Sequence, residues 1–242
     1  MIVRLLSGGA AQGLVAALAP SLETEAGIRV EGTFGAVGAM RERLLAGVRA
    51  DLVILTAALV RDLAAGGHVL GDEAADLGSV ATAVAARAGD PAPSVGNGDA
   101  LRAALLAADA IYMPDPEKAT AGIHFASVLD RLGITNAVRG RLRTFPNGAT
   151  AMRALAGAED RRPLGCTQVT EIVATVGLTL LGPLPLGYGL STVYTAALCR
   201  DASEPDAARE LIRRLTDASA GDLRLRLGFE EVRSARDTPR LP

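Results

Sequence analysis

Residues 109–134 read DAIYMPDPEKATAGIHFASVLDRLGI: a short apolar run, a polar loop and an amphipathic helix in succession. Ala110, Ile111, Tyr112 and Met113 predict a buried strand, which Pro114 and Pro116 end. Ile123, Phe125, Ala126, Val128, Leu129 and Leu132 then recur at helical spacing, with Thr120 as the candidate N-cap and Gly133 as the stop. A small-residue turn at a helix start leaves backbone N–H groups without partners, and such a turn can hold an anion. An ordinary strand-to-helix connection looks the same, and the stretch alone does not choose between the two.

The same rhythm runs upstream. Residues 2–6 predict a strand, Ser7-Gly8-Gly9-Ala10-Ala11 a turn, and residues 12–25 a helix that Gly27 ends. Residues 28–34 predict the next strand, followed by Gly35-Ala36-Val37-Gly38 and a helix over 39–46. Residues 51–56, DLVILT, predict a third strand, with a helix from about Ala58 to Gly66. Each turn lies between a strand's C-terminal end and a helix N-terminus, the rim at which open α/β sheets bind ligands. None carries a dinucleotide fingerprint or a P-loop lysine. The glycines also suit tight turns with no ligand at all.

Downstream, residues 79–87 predict a strand, 89–98 a Pro/Gly-rich loop, and Asp99 the cap of a short helix. Residues 141–145 predict a strand ending at Pro146-Asn147-Gly148, with a helix over 149–156. Residues 164–169 predict a strand and Thr170-Glu171 the opening of a helix. Short strands over 179–181 and 190–198 and a helix from Pro205 to Thr216 complete the pattern, and the polar tail 233–242 is expected to be disordered. The fold class that follows is α/β, with parallel or mixed sheets and flanking helices.

Composition narrows the function. Of 242 residues, 49% are apolar and 21% charged, which is globular. Aromatics reach only 3% and the net charge is −2 without a basic run, so no nucleic-acid partner is expected. Cys166 and Cys199 lack metal-ligand spacing and predict buried free thiols; no metal set and no cofactor motif is readable. The N-terminus lacks an export-signal pattern. The expectation is a cytoplasmic location for the chain as it stands, and a periplasmic one if a signal has been removed.

Residues 46–55 (AGVRADLVIL) and 115–134 (DPEKATAGIHFASVLDRLGI), with SGGA near the start and LGFEEV near the end, carry a family resemblance. In that order the chain resembles the type II periplasmic-binding-protein superfamily over about residues 2–232. The nearest branch is the molybdate-binding-protein-like group of ABC transporter substrate-binding proteins. The resemblance implies a periplasmic-binding-protein-like fold with two lobes, 1–80 plus 187–242 and 81–186, closing over a central cleft. It implies ligand contacts from Ser7, Gly8 and Gly9; from Ala36, Val37 and Gly38; from Thr120, Ala121 and Gly122; and from Asn147, Gln168 and Tyr194. This chain departs from the molybdate binders: Gly9 stands where a Ser is usual, Ala36, Val37 and Gly38 replace hydroxyl residues, and Gln168 stands at a Tyr position.

The expected ligand is therefore a small anion, an organic carboxylate in preference to molybdate. An ABC transporter permease is the expected partner if the protein is exported. Aconitate isomerases resemble the same scaffold, which implies an alternative: a cofactor-free isomerase of an unsaturated di- or tricarboxylate. In that reading His124 and Glu171 serve as acid and base. Each also has a structural role open to it, as a packing histidine and as a helix-start carboxylate.

Overall fold

A computed structural model describes residues 1–232 of the chain. The tail 233–242, expected to be disordered, lies outside the described residues. The first half runs β1 (Ile2–Gly8), α1 (Gln12–Ala26), β2 (Arg29–Gly35), α2 (Val37–Leu45), β3 (Leu52–Thr56), α3 (Ala57–Ala65), β4 (Ala75–Arg87) and α4 (Gly98–Ala107). It continues with β5 (Ala110–Pro114), α5 (Thr120–Arg131), α6 (Thr135–Val138), β6 (Leu142–Phe145), α7 (Gly148–Ala156), β7 (Pro163–Gln168) and α8 (Val169–Val173). Last come β8 (Leu178–Pro183), β9 (Ser191–Leu198), α9 (Pro205–Thr216) and α10 (Gly221–Arg226).

The strand–turn–helix reading of the sequence holds for most of these elements; α6 was not foreseen, and β4 begins at Ala75 where a start at 79 was expected. Gly27 adopts φ 64° and stops α1, and Gly133 at φ 67° follows the last turn of α5. Two caps differ from expectation. Asn97, not Asp99, caps α4, its Oδ1 accepting from the Ala100 N–H at 2.8 Å. Ala119, not Thr120, is the N-cap of α5, and no side chain caps that end.

One mixed sheet orders its strands β2-β1-β3-β9-β4-β7-β5-β6, with β8 paired to β4. The β1–β2, β1–β3, β5–β6 and β5–β7 pairs are parallel, whereas β9 and β4 are antiparallel to their neighbours. Parallel pairs need crossover helices, which cover the sheet and make strands such as β3 and β5 apolar on both faces. Two large apolar cores result. Leu5, Leu14, Leu52, Ile54 and Leu211 belong to one; Val84, Leu101, Ile111, Phe125 and Leu129 belong to the other.

β4 and β9 run between these cores, paired Gly78↔Tyr194 across a bulge. Gly78 has φ 145°, and a Cβ there would lie 2.7 Å from the Glu230 carbonyl oxygen, so only glycine fits. Glu230 bonds back to Ser79 in both directions at 2.7 Å, which ties the LGFEEV segment to this crossing. Asp51 anchors the other end of the first core. It is buried, and it accepts from the N–H groups of Arg4 (2.8 Å), Ser203 (2.6 Å) and Glu204 (3.2 Å), joining β1 to the start of α9. Cys166 and Cys199 are buried free thiols. No helix among the described residues is long and apolar enough to cross a membrane.

Candidate functional site: a cavity at the helix N-termini

The C-terminal ends of β1, β2, β5 and β7 and the first turns of α2, α5 and α7 enclose one cavity, with Tyr194 of β9 behind it. Its volume is ≈ 20 Å³, about the room a single water needs. The backbone at its rim is rich in donors. The first intrahelical bond of α2 is Met40 N–H to Ala36, and that of α5 is Ile123 N–H to Ala119. The earlier N–H groups, those of Val37 and Gly38 and of Thr120 and Ala121, have no partner within their helices. The N-terminal dipole ends add positive potential there.

Glu171 is the one ionisable carboxyl in the lining of this cavity. It is 7% exposed, on the first turn of α8. The Thr167 hydroxyl donates to its Oε2 at 2.5 Å, and the Ala149 N–H of α7 donates to its Oε1 at 3.2 Å. Burial pushes its pKa up, and the bonds from Thr167, Ala149 and Gln168 oppose that rise without cancelling it. Two glycines make room for the carboxyl. A Cβ at Gly9 would overlap Oε1, and one at Gly148 would overlap Oε2 and the Thr167 hydroxyl.

Tyr194 is buried, and burial together with the nearby Glu171 raises its phenol's pKa well above the ordinary range. Gln168 is 2% exposed at the N-cap of α8. With its amide nitrogen toward β4 it donates to the carbonyl oxygens of Val80 (3.2 Å) and Ala81 (3.3 Å), and these two acceptors set the orientation of the amide. Asn147 caps α7 through a 2.9 Å bond from the Thr150 N–H.

Of the residues singled out from the sequence, Gly9, Ala36, Val37, Thr120, Ala121, Asn147, Gln168, Glu171 and Tyr194 line the cavity. Ser7, Gly8, Gly38, Gly122 and His124 do not. The Ser7 hydroxyl is fully buried and donates to the Gly8 carbonyl at 2.9 Å. Gly8 sits under Val37 and Tyr194, Gly38 against the Lys118 carbonyl, and Gly122 against the carbonyls of Pro114 and Asp115. His124 Nε2 lies 2.7 Å from the Tyr188 carbonyl oxygen. His124 lies almost a full turn beyond Ala121 along α5, and its ring reaches the loop after β8. Ala10, Gly35, Pro114, Ala119, Gly148 and Thr167 also line the cavity. Thr167 and Gly148 each adjoin a residue already flagged. Neither's role as neighbour of Glu171 had a sequence signal, because the contact joins three separate elements.

Helix N-termini converge between the two cores of this α/β fold, an arrangement that suits the binding of a small solute. The chain belongs to the bacterial extracellular solute-binding protein family, whose pattern it matches over residues 3–230. It is 28% identical over 222 residues to an aconitate isomerase from Pseudomonas sp., an alignment covering 89% of this chain and 82% of that protein. Among solved structures, the periplasmic molybdate-binding protein of Azotobacter vinelandii superimposes with a TM-score of 0.80 at 16% identity, covering 96% of this chain and 100% of that one. The sulfate-binding protein SubI of Mycobacterium tuberculosis gives a TM-score of 0.74 at 18% identity, covering 97% and 88%. These structural likenesses define a type II periplasmic-binding-protein fold.

Proposed function

We propose that this solute-binding protein holds a small organic carboxylate in the cavity, in preference to molybdate. The observation that carries the reading is a cavity rimmed by helix first turns and lined, among the described residues, by no Lys, Arg or His. Backbone N–H groups then supply the attraction for an anion. A tetrahedral oxyanion needs a donor for each oxygen, and the turns after β1 and β2 offer no free hydroxyl: Gly9, Ala10, Ala36 and Val37 carry none, and the Ser7 hydroxyl is engaged by Gly8; of the three hydroxyls in the lining, on Thr120, Thr167 and Tyr194, that of Thr167 is given to Glu171. A planar carboxylate needs fewer donors.

A cavity the size of one water admits such a ligand only if its walls part. The lobes 1–80 plus 187–242 and 81–186 are the natural moving bodies, with β4 and β9 as the strands between them. Lys118 and Glu42, 3.9 Å apart and both exposed, join the loop before α5 to α2 and would offer a weak latch. If the protein is exported, an ABC transporter permease is the partner this reading implies.

A second reading, a cofactor-free isomerase of an unsaturated di- or tricarboxylate, is favoured by one observation: a buried carboxyl with a raised pKa beside a buried phenol. Glu171 would remove the proton from the carbon next to a ligand carboxylate, the electron pair moving into that carboxylate as an enediolate. Return of the proton to the far carbon shifts the double bond. Tyr194 would hydrogen-bond the enediolate. His124 lines no part of the cavity, so Glu171 carries this reading alone. A thermal-shift panel of oxyanions and carboxylates tests the first reading, and a rise with molybdate alone would sink it. Proton NMR of cis- and trans-aconitate incubated with the protein tests the second. Interconversion lost in Glu171→Gln supports it, and an unchanged ligand after a day refutes it.

A further inference from the structure

Glu171 faces two spaces. Besides the cavity it lines an outer groove of ≈ 460 Å³, together with Gln12, Arg153 and Thr175. Ionisable groups facing it are Tyr194 from β9 and, across the groove, Arg153 from α7. The turn after β1 and the end of β7 present only Gly9, Thr167 and Gln168. No cation meets the carboxyl at salt-bridge distance among the described residues.

Resting on the carboxylate reading above, we infer that Glu171 sets the ligand class of this cavity by sharing one proton with the bound anion. An ionised Glu171 and an anionic ligand would repel each other strongly in a water-poor cavity. One proton between their oxygens replaces that repulsion with a charge-assisted O–H···O bond. Two acidic groups held this close titrate as a pair that retains a single proton. The proton enters from solvent through the outer groove, and no other group changes its bonding. Sharing is strong only between oxygens of similar basicity. Carboxylates and phosphate esters match Glu171; sulfate, the anion of a strong acid, is a much weaker base and leaves the repulsion in place.

The test uses the full chain carrying carbon-13 at glutamate Cδ, titrated at mildly alkaline pH with trans-aconitate, citrate, sulfate and molybdate. The Glu171 resonance is assigned by its disappearance in Glu171→Gln. The expected result is a shift to the neutral-acid position when a carboxylate binds. In Glu171→Gln, sulfate should gain at least about tenfold in affinity relative to the carboxylate. An ionised Glu171 in the carboxylate complex, or wild-type protein that binds sulfate as tightly as carboxylate, overturns the inference and leaves an anion site standing. Binding of none of the four overturns both the inference and the reading beneath it.

Discussion

The Thr167 hydroxyl donates to Glu171 Oε2 at 2.5 Å, joining the end of a fully buried strand to a carboxyl in the cavity wall. The two residues are four apart, and both are buried. Thr167→Val keeps the shape and removes the donor. It leaves a buried carboxylate oxygen short of a partner, which costs about 1–3 kcal/mol. Urea denaturation of the variant should show a lower midpoint with an unchanged slope.

Gly148 tests the fit from the other side. Gly148→Ala places a Cβ onto Glu171 Oε2 and Thr167 Oγ1, so the carboxyl must move. A loss of about 1–3 kcal/mol is expected from overpacking, with loss of any ligand-induced rise in Tm. Gly157→Ala is the control: a Cβ there meets only the Arg153 carbonyl at 3.9 Å, and stability should hold.

The pH dependence follows from burial. The folded-state pKa of Glu171 is raised above its ordinary value of 4.5, so the folded protein binds this proton more tightly than the unfolded chain does. Its contribution to stability is fully present below 4.5 and is lost as pH rises through the raised folded value. Glu171→Gln cannot ionise. The stability of the variant minus that of wild type should therefore grow as pH rises above 4.5, measured by urea denaturation at several pH values.

His124 gives the opposite expectation. Its ring nitrogen is taken by the Tyr188 carbonyl. His124→Ala should cost about 1 kcal/mol of stability and leave ligand-induced thermal shifts unchanged. A lost shift would return this residue to the site.

Asp51 is structural. Asp51→Ala strands the N–H groups of Arg4, Ser203 and Glu204, and the N-terminus of α9 loses its carboxylate. About 3 kcal/mol should be lost, read by thermal denaturation, with little effect on ligand shifts once the protein is folded.

Residues 109–134 show how far local chemistry reaches. Alternation of apolar runs with Pro and Gly stops places β5, the loop and α5 within a residue or two, and the same logic places α9 at Pro205–Thr216. The caps were harder to read. Asn97 and Asp99 are both good cap residues, and so is Thr120, but the backbone conformation at the turn decides which position is used.

The sequence by itself determined the order of strands and helices, the small-residue turns between them and the family pattern, because periodicity and turn chemistry are local properties. Tertiary structure decided which turns meet. The Thr82↔Gln168 and Gly78↔Tyr194 registers set Gln168 and Tyr194 at one cavity, and the packing of α7 against α8 brings Gly148 onto Glu171. α5 meets the cavity with its first residues, Thr120 and Ala121, and carries His124 almost a turn further along, against the Tyr188 loop. Contacts between segments far apart in the chain depend on strand register and helix placement, and one residue's slip of a strand would exchange the residues that face the cavity.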